Sequence, residues 1–104
     1  MAALTKITEE ELLKKVKSLI GAGSYDDDPI ELLIEDVKYE LLDAGVHEVA
    51  VNSRVAIGVI ARGVDDLWSL GSGTVNLSPY FRQRVTQLAL CYPKGTELGH
   101  ESEG

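Results

Sequence analysis

Apolar residues recur at helical spacing in four stretches of the chain, each preceded by a residue suited to capping. Thr8-Glu9-Glu10-Glu11 has the form of a capping box, with a Thr hydroxyl at the N-cap and Glu11 three residues on to return the bond. Leu12, Leu13, Val16, Leu19 and Ile20 follow on one face, and Lys14, Lys15 and Lys17 fall largely on the other. Acids in the first turn and lysines later suit the helix dipole. Gly21 and Gly23 end this helix. Asp28-Pro29-Ile30-Glu31 opens the second, with Asp as N-cap and Pro at the first helical position. Ile30, Leu33, Ile34, Val37, Leu41 and Ala44 form its stripe, and Gly45 closes it as the C′ residue.

Asn52 or Ser53 can cap a third helix running to about Leu70. Ala56, Val59, Ile60, Gly63, Leu67 and Leu70 make one face, which Val55, Val64 and Trp68 widen. So broad a band implies contacts on two sides. Gly58 and Gly63 each weaken a helix by about 1 kcal/mol relative to Ala, so both suggest close backbone approach. Val46–Ile60 is rich enough in Val and Ile for a strand to compete there; length and the cap favour helix. A loop, Gly71–Leu77, leads to Ser78-Pro79, a cap with an N1 proline for the last helix. Phe81, Val85, Leu88 and Ala89 align on that helix, and Pro93 stops it. The expected fold is all-α, a bundle of about four helices with a Gly-rich loop before the last. The expected domain is residues 1–92, followed by a disordered acidic tail at 93–104.

Composition narrows the function. With 104 residues, 44% hydrophobic and 26% charged, the chain suits one globular domain. A net charge of -7 disfavours non-specific nucleic-acid or anionic-membrane binding. The charge is unevenly placed: residues 67–96 hold Arg82, Arg84 and Lys94 and no acid, whereas Glu97, Glu101 and Glu103 follow. The single Cys91 cannot form an internal disulfide, no stretch reads as a signal peptide, and Val55–Val64 is too short to cross a bilayer. The expectation is a soluble, reduced, intracellular protein.

Catalytic and ligand motifs fail on inspection. Counted from Asp26 as an EF-hand loop, the fifth position is Ile30, the sixth Glu31 and the twelfth Val37, where a calcium loop needs an oxygen ligand, Gly and Glu. The acids there read as a solvated loop and a cap. His47, His100 and Cys91 lack zinc spacing. His47 reads as a surface residue, and Cys91 as a small hydrophobe at a helix end. Gly71-Ser72-Gly73 continues as neither a dinucleotide fingerprint nor a Walker loop. The adjacent acids Glu35–Asp36 and Asp65–Asp66 read as solvated faces. No enzyme, cofactor or metal is expected. Trp68 suits a core or an interface equally. Arg82 and Arg84 suit either a wet helix face or a contact with the acidic body of a neighbouring copy.

The order "DDPIELLIEDVKYELLDAGV", an apolar Arg-containing helix ending in Trp, a loop and "LSPYFRQRVTQLAL" resembles the small head–tail connector proteins of tailed bacteriophages. These are also called head-completion or adaptor proteins, and occur in prophages as DNA-packaging proteins. The resemblance spans about residues 8–92 and rests on element order and phrases such as "LLDAGV", with no catalytic signature. It departs from common members in the Gly-rich loop and the Glu-bearing tail.

The resemblance implies a structural subunit, made in the host cytoplasm and located at the virion head–tail junction. It implies a homo-oligomeric ring of about twelve or thirteen copies beneath the portal, with a monomer possible in solution. Such a ring extends the DNA channel and docks the next tail or stopper protein; DNA passes without sequence-specific binding, and no membrane is involved. Subunit or portal contacts would then involve Arg82, Arg84, Trp68 and Tyr80. A small helical protein-binding adaptor or regulatory module, using the broad face of the third helix, is the alternative. A DNA-binding regulator ranks below it, because the charge is unfavourable.

Overall fold

The computed structural model describes residues 4–21, 27–70 and 79–95. Among the described residues there are five α-helices and no strand beyond isolated bridges: α1 (Glu9–Ile20), α2 (Asp27–Asp43), α3 (Glu48–Val51), α4 (Ile57–Leu70) and α5 (Pro79–Cys91). A 3-10 turn, Arg54–Ala56, leads into α4. The expected all-α bundle is therefore what the chain forms. Gly23, the Gly-rich loop 71–78 and the tail from residue 96 onward lie outside the described residues.

The capping signals place the helices with three adjustments. Thr8 caps α1 as expected, its hydroxyl accepting from the Glu11 N–H at 3.1 Å. Glu11, however, turns its carboxylate to Arg54 in an ion pair that joins α1 to the 3-10 turn. Ile7 before the cap and Leu12 in the first turn are both buried, the pairing of a hydrophobic staple. In the second adjustment α2 begins at Asp27, two residues before the expected first helical position, so Pro29 sits inside its first turn. Its other end follows the sequence closely. Gly45 takes φ 99°, its N–H reaches Leu42 O at 3.1 Å, and the Val46 N–H reaches Leu41 O at 3.1 Å. That pair of bonds is a Schellman motif, and Leu41 and Val46 are both fully buried beside it.

The third adjustment is the largest. The helix expected from Asn52 or Ser53 to Leu70 is present, with Ser53 at its N-cap and a 3-10 first turn leading into α4; what was not expected is α3, a single turn placed before it. Ser53 stands between α3 and the start of that helix. It is buried, with its hydroxyl donating to Ala50 O at 2.9 Å, and its backbone pairs antiparallel with Lys6. The Ile7 N–H donates to Asn52 O at 3.1 Å and the Arg54 N–H to Thr5 O at 2.9 Å, so the segment before α1 is tied to this connector. Leu4 and Ile7 anchor it from the apolar side. A second tie joins the chain after α5 to the start of the connector. The His47 N–H reaches Tyr92 O at 2.8 Å, the Lys94 N–H reaches Gly45 O at 3.1 Å, and Val46 bridges to Pro93. Residues 93 and 94 are therefore held against the connector, and residues 96–104 lie outside the description.

α4 is the hub. It packs against α1, α2 and α5, and its Ala61, Val59, Ile60 and Val64 are buried. The two-sided contact expected from its broad stripe is present. Of the two glycines, only Gly63 permits close approach. A Cβ there would lie 2.6 Å from Phe81 Cε1 and 2.9 Å from Val37 Cγ1, whereas Gly58 faces open space.

The two glycines should therefore behave oppositely. Gly63→Ala should destabilise the protein by about 1–3 kcal/mol through overpacking. Gly58→Ala should stabilise it by up to about 1 kcal/mol. Urea unfolding followed by circular dichroism checks both, and equal effects would contradict the packing described. The C-terminal tie makes a further prediction. Ending the chain after Gly95 should leave the thermal midpoint unchanged, because the remaining segment holds one large apolar residue, Leu98. Ending it after Cys91 should lower the midpoint, because the backbone bonds to Gly45 and His47 are lost, at about 0.5–1.5 kcal/mol each.

Candidate functional site

Two described recesses, of about 550 Å³ beside Lys6, Glu48 and Asn52 and about 520 Å³ beside Leu13, Lys14 and Asp27, are broad hollows open to solvent. The hollow between α1 and α2, floored by Leu12 and Ile34 and edged by Glu9, Glu35 and Lys38, holds about 110 Å³. Sites for small molecules usually run to about 300–1,000 Å³. Among the described residues no three His, Cys, Asp or Glu side chains converge as metal ligands, and no helix is long and apolar enough to cross a membrane. His47 is half-buried, contrary to the surface position expected. Its Nδ1 accepts from the Val49 N–H at 3.1 Å, so it caps α3. Cys91 is exposed rather than packed.

Among the described residues Lys38 is the one ionisable group whose titration is clearly displaced. Burial between α1 and α2 lowers its pKa; Glu9 and Glu35 offset part of that, and Nζ donates to Asn52 Oδ1 at 3.0 Å.

What distinguishes the surface is its sorting by helix. All seven carboxylates of α2 (Asp27, Asp28, Glu31, Glu35, Asp36, Glu40 and Asp43) are exposed, and its one cation is the half-buried Lys38. α5 carries no acid, and both its cations, Arg82 and Arg84, are exposed. The reason lies in the apolar stripes. Ile30, Ile34, Val37 and Leu41 fix the inward face of α2, and Phe81, Val85 and Leu88 fix that of α5, which turns the charges outward.

The expected interface residues divide. Tyr80, Arg82 and Arg84 are each exposed on α5, with Tyr80 stacked beneath the Arg62 guanidinium at 5.4 Å from the ring centre. Arg62 also reaches Asp66 at 3.4 Å, so Tyr80 is tied to the charged side of α4. Trp68 is half-buried and packs against the core, which gives it a structural share in the bundle.

The two arginines differ. Arg82 borders a groove with Glu40 and Asp43 of α2, so acids of its own chain lie nearby, although none is within ion-pair distance among the described residues. Arg84 lies on the other flank and hydrogen-bonds Gln87 at 3.1 Å.

Sequence reasoning missed three exposed apolar side chains on these faces: Leu32, Tyr39 and Leu90, which are 65%, 63% and 77% exposed. The signal was available, because each falls off the helical stripe that defines its inward face. No family model, curated protein or solved structure matches the chain.

Lys38 yields a signed pH prediction. With its pKa lowered in the folded state, the unfolded chain binds the proton more readily, so stability gains as pH rises through the interval below lysine's ordinary value. Lys38→Met removes that gain. Between about pH 8 and about pH 10 the thermal midpoint of the wild type should therefore move upward relative to that of the variant. A constant difference would place the lysine in ordinary solvent.

Proposed function

We propose that this chain is a structural subunit that assembles with copies of itself through two unlike surfaces, as a head–tail connector of a tailed bacteriophage. In that role it forms a ring beneath the portal, extends the DNA channel, and receives the next tail or stopper protein. It acts without catalysis and without a cofactor.

One observation carries the assembly part of the reading: α2 presents seven carboxylates outward, and α5 presents two arginines and no acid. A closed ring requires each subunit to meet the next through different patches, and oppositely charged patches satisfy that requirement without favouring like-to-like pairing. The phage setting rests on the resemblance of "DDPIELLIEDVKYELLDAGV" and "LSPYFRQRVTQLAL" to connector sequences. The net charge of -7 fits a channel component that DNA passes without sticking. An adaptor that binds through the broad face of α4 is less well supported, because α1, α2 and α5 already cover that face.

The test is loading onto phage heads that carry the portal. Wild-type protein should load, and loading should weaken as salt rises, because exposed charge pairs are screened. Arg82→Glu with Arg84→Glu should load less at every salt concentration. Arg84→Glu alone is the cleaner variant, since Glu at position 82 would also face Glu40 and Asp43 of its own chain. Duplex DNA should not bind the free protein at about 0.1 M salt. Heads that take up wild type and variants equally, without salt dependence, would remove the arginines from the contact. Tight DNA binding would overturn the channel role.

A further inference from the structure

We infer that the surface receiving α5 of one copy is the outer stripe of α2 on a second copy, with Leu90 set against Leu32 and Tyr39, and the arginines beside it facing the α2 carboxylates. This deepens the assembly part of the proposed function and is independent of the phage setting.

On α2, Leu32, Asp36, Tyr39 and Asp43 follow one another at intervals of four and three residues, so they form a single line along the helix. That line lies opposite the buried line of Ile30, Ile34, Val37 and Leu41, so neither Leu32 nor Tyr39 can contribute to its own core. The two apolar groups stand about 10 Å apart along the axis, with carboxylates interleaved. On α5, Leu90 lies opposite Phe81, Val85 and Leu88, and it is the most exposed large apolar side chain described. Arg82 and Arg84 flank its stripe on either side.

Scattered surface leucines are ordinary and need no explanation. Leu19 of α1 is one such residue, but Leu32, Tyr39 and Leu90 sit on the two helices whose charges are opposite. On α2 carboxylates interleave with the apolar line, and on α5 the arginines stand at the two edges of the exposed arc, about 80° and about 120° around the helix from Leu90, which gives an apolar middle and a charged rim. A second copy is the occupant these features select. The acidic, apolar-centred stripe calls for a basic, apolar-centred helix, and α5 of the same sequence is one. Two α2 stripes would repel each other, so α2 cannot pair with itself.

The experiment is charge exchange between the two faces, read by sedimentation of the full chain at low salt over a range of concentrations. Wild type should self-associate. Arg84→Glu should weaken association about fivefold to tenfold in Kd, because an attraction is replaced by a repulsion. Asp36→Lys with Asp43→Lys should do the same from the other face. A one-to-one mixture of the two variants should recover association. In it the altered α5 meets the altered α2, and the wild-type α5 meets the wild-type α2. Leu90→Ser should also weaken association while leaving the monomer folded.

Circular dichroism and thermal melts of each variant exclude unfolding as the cause. A wild type that remains monomeric at all concentrations, single variants that associate normally, or a mixture that stays dissociated would each overturn the contact. The same proteins are also offered to portal-bearing heads. Recovery on mixing without loading onto heads would retain the α2–α5 contact and remove the connector role. Loading that ignores both sets of substitutions would do the reverse.

Discussion

Of the described glycines only Gly63 is closely packed: there the α4 backbone meets Val37 of α2 and Phe81 of α5 with no room for a methyl group. Interiors are packed too densely for such a point to absorb an extra carbon without displacement. Because Val37 and Phe81 seat on α4, the opposite sides of α2 and α5 face outward. Those sides carry Leu32, Tyr39 and the acids on one helix, and Leu90 with its flanking arginines on the other. A glycine in the core thus sets which side chains the surface displays.

Much of this architecture was legible in local chemistry. Thr8, Gly45 and Pro79 mark ends that the helices respect, because each satisfies or relinquishes backbone groups within a few residues of itself. The misreadings share a different cause. Ser53 separates the unexpected turn α3 from the expected third helix, its backbone engaged by Lys6, a residue 47 positions earlier, and no local pattern announces such a partner. Glu11 leaves its capping role for Arg54 for a similar reason, a tertiary partner overriding a local one. The Val-rich stretch that could have been a strand supplies only isolated bridges at Val46 and Ser53, with a single helical turn between them.

The surface was legible in charge but less so in detail. The absence of acids from residues 67–96 follows from counting, and its concentration on α5 follows from the helix assignment. That Arg82 and Arg84 stand in different surroundings does not follow. It depends on the packing that brings Glu40 and Asp43 beside one of them. Trp68 could be read as core or interface, and its place against the core required the tertiary arrangement.

The connector between α2 and α4 holds both ends of the folded chain, through Lys6–Ser53 and Val46–Pro93, and each tie closes a separation of 47 residues. The consequence is one of timing. During synthesis the first tie can close as soon as the connector has emerged, but the second must await residues beyond α5. Until then Gly45 O and the His47 N–H have only water to satisfy them, and Val46 lacks its bridge to Pro93. A nascent chain can therefore reach a helical, partly closed state early, and it gains its last backbone partners only when its own final turn arrives.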